Sequence, residues 1–288
     1  MTLTHSSETT DSEARCGDAI KTLRSLPTAC VDAVITSPPY YRRRDYGVVG
    51  QYGQESTVAK YIATMGLVLA ELFRVTKPTA TCFLVVGDSS LDGKVLLVPH
   101  RLAIHADQNG WIVRNDIIWC KKDPAPGRTH KRWRSGHEHI LFLAKDSKRY
   151  CFNEEDIRVP YSEATLRRWG AGQAYGGPKS ENRRNDSDTP VRHGKTFNLN
   201  PLGCIPTDVW TVASSNNKAS HYAAFPKEIV EPIVKACTRP GDVVLDPFMG
   251  TGTVGVVAKT LGRRFLGIDL NPSYVSIARQ ALTAVDTP

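Results

Sequence analysis

The chain has 288 residues, of which 41% are hydrophobic. That length and apolar content can bury a sizeable core, in one large domain or one domain with a small insert. Lys and Arg number 37 against 29 Asp and Glu, for a formal net charge of +8. A basic excess suits a polyanionic partner, because Lys and Arg displace counterions from phosphates. A solvated basic surface gives the same total. The 7 cysteines are odd in number and include no Cys-x-x-Cys pair. Cys82, Cys120 and Cys237 sit in or beside apolar segments. This favours reduced core thiols over a disulfide framework or a zinc site, and no metal is expected. Residues Met1 to Glu13 are polar and lack the apolar stretch of a signal peptide. No run is long and apolar enough to span a membrane. The expectation is a soluble, cytoplasmic protein.

In chain order, Arg15-Cys16-Gly17-Asp18-Ala19 precedes the first clear strand, with Asp18 suited to cap a helix over Ala19–Leu23. The apolar run Val31–Thr36 reads as a buried strand and leads into Ser37-Pro38-Pro39-Tyr40. Arg42, Arg43 and Arg44 follow directly. Tyr61, Met65, Val68, Leu69 and Leu72 recur at helical spacing, so Thr57–Val75 reads as a helix that Lys77-Pro78 ends. Thr81–Val86 is a strand before the polar turn Gly87-Asp88-Ser89. Val98–Gln108 is a helix stopped by Asn109-Gly110. Trp111–Trp119 and His139–Ala144 read as strands around a basic segment, 121–136. Its Lys121, Lys122, Arg128, Lys131, Arg132 and Arg134 cluster about Trp133. Residues 151–215 are rich in Gly, Asn, Ser and Arg, with weak periodicity, and read as an inserted module or long loops. Regularity returns with a helix over Pro226–Cys237 and a strand over Asp242–Leu245. A glycine turn, a helix near Val254–Leu261, a strand over Phe265–Ile268 and a last helix from Ser273 follow. Strands alternating with helices argue for an α/β fold with a mainly parallel sheet.

Two segments carry chemistry. In Ser37-Pro38-Pro39-Tyr40 the prolines fix backbone angles and remove N–H donors, so carbonyl oxygens face outward. Ser37 can donate or accept a hydrogen bond, and Tyr40 offers a face for a flat base. The second segment is Asp246-Pro247-Phe248-Met249-Gly250-Thr251-Gly252-Thr253. With Val254-Gly255 it matches G-x-G-x-x-G after a strand and before a helix, and Asp269 ends the next strand. Alone, that pattern also fits other nucleotide-binding folds, a nicotinamide dehydrogenase included. Asp246 narrows the choice. A carboxylate at this strand end repels a pyrophosphate and suits a cofactor bearing an ammonium and a sulfonium.

Together and in this order, the two segments resemble the S-adenosylmethionine-dependent DNA amino-methyltransferases of the circularly permuted beta group. The resemblance implies a Rossmann-like methyltransferase fold, with a mainly parallel twisted sheet, flanking helices and a small target-recognition insert. Residues 1–150 would form the catalytic part, 151–215 the insert and 216–288 the cofactor part. It implies a cofactor site of Asp246, Pro247, Phe248, Gly250, Thr251, Gly252 and Thr253, with Asp269 on the ribose. Asp18 would meet the adenine amino group. Phe225 belongs to His221-Tyr222-Ala223-Ala224-Phe225-Pro226, which departs from the family in having Tyr222 where Pro is usual. Ser37, Pro38, Pro39 and Tyr40 would be catalytic. The exocyclic amine of a base is a poor nucleophile, because its lone pair is delocalised. Hydrogen bonds from it to Ser37 and the Pro38 carbonyl would favour a pyramidal nitrogen as attack begins.

The target atom is buried in a duplex, so the base must be flipped out, with Tyr40 stacking on it. Ser at the first catalytic position implies N4 of cytosine, whereas Asp or Asn there is usual for N6 of adenine. A cytosine C5 enzyme needs a Pro-Cys nucleophile, which does not occur. Double-stranded DNA is the implied partner. Arg42, Arg43, Arg44, Lys131, Arg132, Arg134, Arg183 and Arg184 would contact it, with Asn182, Asn185, Arg192 and His193 also available in the insert. His139 reads as a strand histidine rather than a catalyst. A restriction endonuclease acting separately, a monomeric or homodimeric state, an N6-adenine enzyme and a non-catalytic nucleic-acid-binding subunit all stay open.

Overall fold

The computed structural model describes residues 12–124, 131–169, 199–214 and 226–285. Backbone contacts divide the chain into two compact units, 1–153 with 208–288, and 154–207. The first unit contains β1 (Ser12–Cys16), α1 (Ala19–Ser25), β2 (Val31–Thr36), α2 (Val58–Val75) and β3 (Thr76–Val86). Then come the two short strands β4 (Ser90–Leu91) and β5 (Lys94–Val95), α3 (Val98–Gln108), β6 (Ile112–Lys121) and β7 (His137–Ala144). The second unit holds a 3-10 turn, Glu154–Ile157, and α4 (Glu163–Trp169). A bridge between Val159 and Cys204 ties its two ends. The chain re-enters the first unit with β8 (Val209–Val212), α5 (Lys227–Cys237), β9 (Val243–Asp246), α6 (Thr253–Thr260), β10 (Arg264–Asp269) and α7 (Pro272–Thr283).

The large sheet has the order β1-β10-β9-β2-β3-β7-β6-β8. Pairing is parallel from β1 through to β3 and again between β6 and β8; only β7 runs against its neighbours. The central strands β2, β3 and β9 are buried on both faces. This is why they read as continuous apolar runs. On one face α1, α2 and α3 bury Leu23, Tyr61, Met65, Leu69, Leu72 and Leu102 against Val34, Leu84 and Leu141. The helical spacing seen in α2 is the spacing of its buried residues.

Four details differ from expectation. Lys77-Pro78 does not separate helix from strand: α2 ends at Val75 and β3 starts at Thr76. The residue before a proline prefers extended backbone, so the chain passes straight from helix to strand. Thr76 closes the helix with its N–H and Oγ1 on the Leu72 carbonyl, and Lys77 Nζ pairs with Asp32 at 2.6 Å. β1 carries little apolar signal because it is an edge strand in which only Ala14 is buried. The hairpin β4–β5 is two residues a side and exposed, too short to leave a period. Finally, Val209–Val212 lies inside the stretch read as insert, yet it adds an outer strand to the main sheet beside β6.

Candidate active site

The strand order reverses between β9 and β2. From β9 the chain proceeds to β10 on one side; from β2 it proceeds to β3 on the other. A crevice forms at such a switch point, outside the carboxyl ends of the strands. A cavity of about 470 Å³ occupies this place. The segment after β2 forms one wall and the turn after β9 forms the other. Trp119 and Lys121 close it from the end of β6, and Glu138 from the start of the oppositely directed β7. A roof comes from residues 43–52. There Tyr46 N donates to Gln51 Oε1 at 2.7 Å, and Gln51 Nε2 donates to Asp45 Oδ1 at 2.7 Å.

On the β2 wall, Ser37, Pro38, Pro39 and Tyr40 all line the cavity. Ser37 Oγ lies 3.2 Å from the Val85 carbonyl and 3.3 Å from the Tyr40 phenol oxygen. Its one proton serves one of these at a time, and its lone pairs remain to accept from a substrate. The Pro39 carbonyl accepts from Tyr61 Oη at 2.9 Å. Among the described residues the Pro38 carbonyl has no donor. Tyr40 donates to Glu138 Oε2 at 2.6 Å, and Lys121 Nζ pairs with the other Glu138 oxygen. Burial and the Glu138 charge hold the Tyr40 phenol well above its ordinary pKa. Tyr40 therefore stays protonated, as a fixed donor and plate rather than a base.

Gly87 makes that seating possible. A Cβ built there would lie 2.6 Å from Tyr40 Cε2. Gly87→Ala is expected to push the ring into the cavity and lower turnover by on the order of tenfold to a hundredfold, with cofactor affinity unchanged. Single-turnover kinetics beside a cofactor titration would check this.

On the β9 wall, Thr36 Oγ1 donates to Asp246 Oδ1 at 2.6 Å and the Phe248 N–H to the same oxygen at 3.0 Å. Oδ2 is the oxygen left for a ligand. Asp246 is 1% exposed. Burial pushes its carboxyl up to about 7 despite both hydrogen bonds, with the nearby Asp269 adding a smaller upward push. Asp269 Oδ2 accepts from Gly250 N at 2.9 Å and Oδ1 from Asn271 N at 2.8 Å. Burial raises its pKa too. Gly250 and Gly252 take positive φ, 52° and 89°, and a Cβ at Gly252 would press on Ala278 at 3.0 Å. The Phe248 ring meets Tyr52 edge-on at 5.4 Å. Two carboxylates, an apolar ring pair and an open glycine turn fit a cation-bearing adenosyl cofactor.

The family model described as DNA methylase matches residues 31–280. The chain belongs to that family. It is 31% identical to the Type II methyltransferase M.Cfr9I of Citrobacter freundii, over 94% of this chain and 87% of that one. It is 30% identical to M.SmaI of Serratia marcescens, over 92% and 89%. A solved structure of a putative DNA modification methylase from Thermus thermophilus superposes with a TM-score of 0.61 at 26% identity, covering 94% of each chain. The PvuII DNA methyltransferase, named cytosine-N4-specific, superposes at 0.68 with 18% identity, over 96% of this chain and 87% of that one. The protein is an S-adenosylmethionine-dependent DNA amino-methyltransferase of the Rossmann-like fold.

In this methylase the cavity brings together Ser37 to Tyr40, Asp246 to Thr251, Thr253 and Asp269, with Arg43 and Arg44 at its edge. Gly252 supports the turn from behind. Asp18 is not on the cavity wall: Oδ1 caps α1 through Lys21 N at 2.8 Å, and Oδ2 accepts from Tyr52 Oη at 2.7 Å. Only its neighbours Gly17 and Ala19 line the cavity. Arg42 also turns away, its guanidinium donating to the Ser56 carbonyl at 3.1 Å. Lys131, Arg132 and Arg134 are exposed on the segment before β7 and do not line the cavity. Phe225, Arg183 and Arg184 lie outside the described residues, as do Arg128, Asn182, Asn185, Arg192 and His193.

Sequence reasoning gave no site role to Glu138, Trp119 and Tyr52, and read Lys121 only as one of a basic cluster. A signal existed for the first. Glu138 is an acid at the start of the apolar strand Ile140–Ala144, where a charge needs a partner. Tyr52 and Trp119 gave none, because a lone aromatic reads as core.

Proposed function

We propose that this methylase transfers the methyl group of S-adenosylmethionine to the exocyclic N4 of a cytosine flipped out of duplex DNA. The observation that carries the reading is that Ser37, Pro38 and Asp246 line one switch-point cavity from its two walls. S-adenosylmethionine supplies an electrophilic methyl group. Asp246 Oδ2 and Asp269 would hold its ammonium and ribose, and Phe248 with Tyr52 its apolar parts. Ser37 Oγ and the Pro38 carbonyl accept the two amine protons. Those bonds strengthen as the nitrogen turns pyramidal, so they favour the transition state over the ground state. Tyr40, tethered by Glu138, fixes the plane of the base. Arg43 and Arg44 stand where the strand backbone would enter.

Ser37 supports cytosine over adenine through the family pattern stated above. The relatives are named Type II methyltransferases, which supports a role beside a separately acting restriction endonuclease. Nucleoside mass spectrometry on DNA treated with protein and S-adenosylmethionine tests the reading. N4-methylcytosine is expected. N6-methyladenine instead would overturn the base assignment and leave the shared chemistry of the site in place.

A further inference from the structure

We propose that the sheet face opposite the active site holds a binding site for one divalent first-row transition ion, with zinc as the best-fitting case. Register places the donors. Ile118 pairs with His139 and Cys120 with His137 across β6 and β7. Side chains alternate along strands, so Asp116, His137 and His139 share one face, while Glu138 and Trp119 look into the cavity on the other. α3 covers the first face and brings His100 onto it. The His100 and His139 rings lie 5.0 Å apart, and those of His137 and His139 lie 5.2 Å apart.

His100, Asp116 and His139 each offer a ligand atom, and these atoms all lie within 4.8 Å of one another. Zinc holds imidazole nitrogen and carboxylate oxygen at roughly 2.0–2.2 Å, which sets the ligand atoms about 3.3–3.5 Å apart in a tetrahedron. Small side-chain rotations at the two exposed ligands close that gap. His139 is buried and anchors the site; His100 and Asp116 are exposed and leave a path for entry. Both Asp116 oxygens lie near His139 Nδ1, at 2.9 and 3.0 Å. Asp116 thus binds the ion itself or orients the His139 ring for binding through Nε2. A plain His–Asp pair needs only two groups. It gives no reason for a helix to bring a third side chain, His100, to the same ring. Imidazole with carboxylate selects zinc, nickel or copper over magnesium or calcium.

The probe is the metal alone on the full chain, stripped with chelator and dialysed. Zinc titration is expected to show one ion per chain, with a rise in thermal midpoint. The cobalt(II) form is expected to show ligand-field bands without a thiolate charge-transfer band. His100→Ala, at an exposed position, and Asp116→Asn are each expected to weaken zinc at least about tenfold and to abolish the thermal shift. Equal affinity in wild type and both variants overturns the site. So does a thiolate band, which would place the ion on cysteine, or no binding to wild type at about 0.1 mM zinc, far above the working range of protein zinc sites.

Discussion

Ser37→Ala is expected to lower the rate of methyl transfer by roughly 10²–10³-fold, the usual cost of deleting one transition-state hydrogen-bond partner. S-adenosylmethionine affinity should stay within about twofold of wild type, since the side chain adds nothing to ground-state cofactor binding. The separation follows from where Ser37 sits. Its Oγ contacts Val85 and Tyr40, on the β2 and β3 side of the switch point, and no residue of the turn after β9. The Pro38 carbonyl remains in the variant, which is why a residue of activity should survive. Tyr40→Ala and Tyr40→Phe divide the role of the ring. The alanine variant loses a base-stacking contact worth about 1–3 kcal/mol, read as weaker DNA binding. The phenylalanine variant keeps the plate and cuts the tether to Glu138, so its loss should fall on turnover instead. Wild-type turnover in Ser37→Ala would remove Ser37 from the chemistry.

The sequence exposed this site unevenly, for physical reasons. Backbone-driven features were legible. Two prolines, a glycine turn and a strand-end acid constrain the chain locally, whatever packs around them. The parallel centre of the sheet was legible because burial on both faces leaves unbroken apolar runs, as in β3. Features that depend on two distant strands meeting were not. Glu138 matters because β7 runs against β3 and β6, which carries its first residues to the end of the sheet where Ser37 lies. Nothing local to residues 137–139 specifies that direction. The same holds for Asp18. Its cap on α1 is local and was foreseen as its plainer role, whereas its bond to Tyr52 spans 34 residues. The edge strand β1 escaped notice because only Ala14 in it is apolar and buried, and β8, though apolar, because four residues inside a polar stretch are too few to show a period.

Asp246 yields the sharpest pH dependence expected of this protein. Burial raises its folded pKa to about 7, against an ordinary value of 3.8. Between those values the unfolded chain has lost a proton that the folded chain keeps, so stability without cofactor falls as pH rises through this window. Above the folded pKa the full cost is present, about 4 kcal/mol as an order of magnitude. A cationic cofactor held by Asp246, as proposed above, would reverse the sign, because it would bind the ionised carboxylate. About one tenth of free Asp246 is ionised near pH 6 and about three quarters near pH 7.5. S-adenosylmethionine affinity should therefore rise by about fivefold across that interval. The α-amino group of the cofactor, with a pKa of about 7.7–8.0, keeps most of its charge up to pH 7.5 and trims this rise only in part.

Asp246→Asn keeps the Oδ1 that accepts from Thr36 and Phe248. It should raise the thermal midpoint without cofactor at about pH 8, the condition where the wild-type carboxylate costs most. It should also bind the cofactor at least about tenfold more weakly near pH 7.5, without the rise from pH 6 that Asp246 ionisation brings. Calorimetry at the two lower pH values, beside thermal scans without cofactor, measures both arms. A variant that is more stable yet binds as tightly as wild type would show that the buried charge serves something other than the cofactor. Loss of both stability and affinity would show that Oδ2 has a structural partner. The paired gain and loss is the signature of a site whose charge is held at a cost to the fold because a cation is to be bound there.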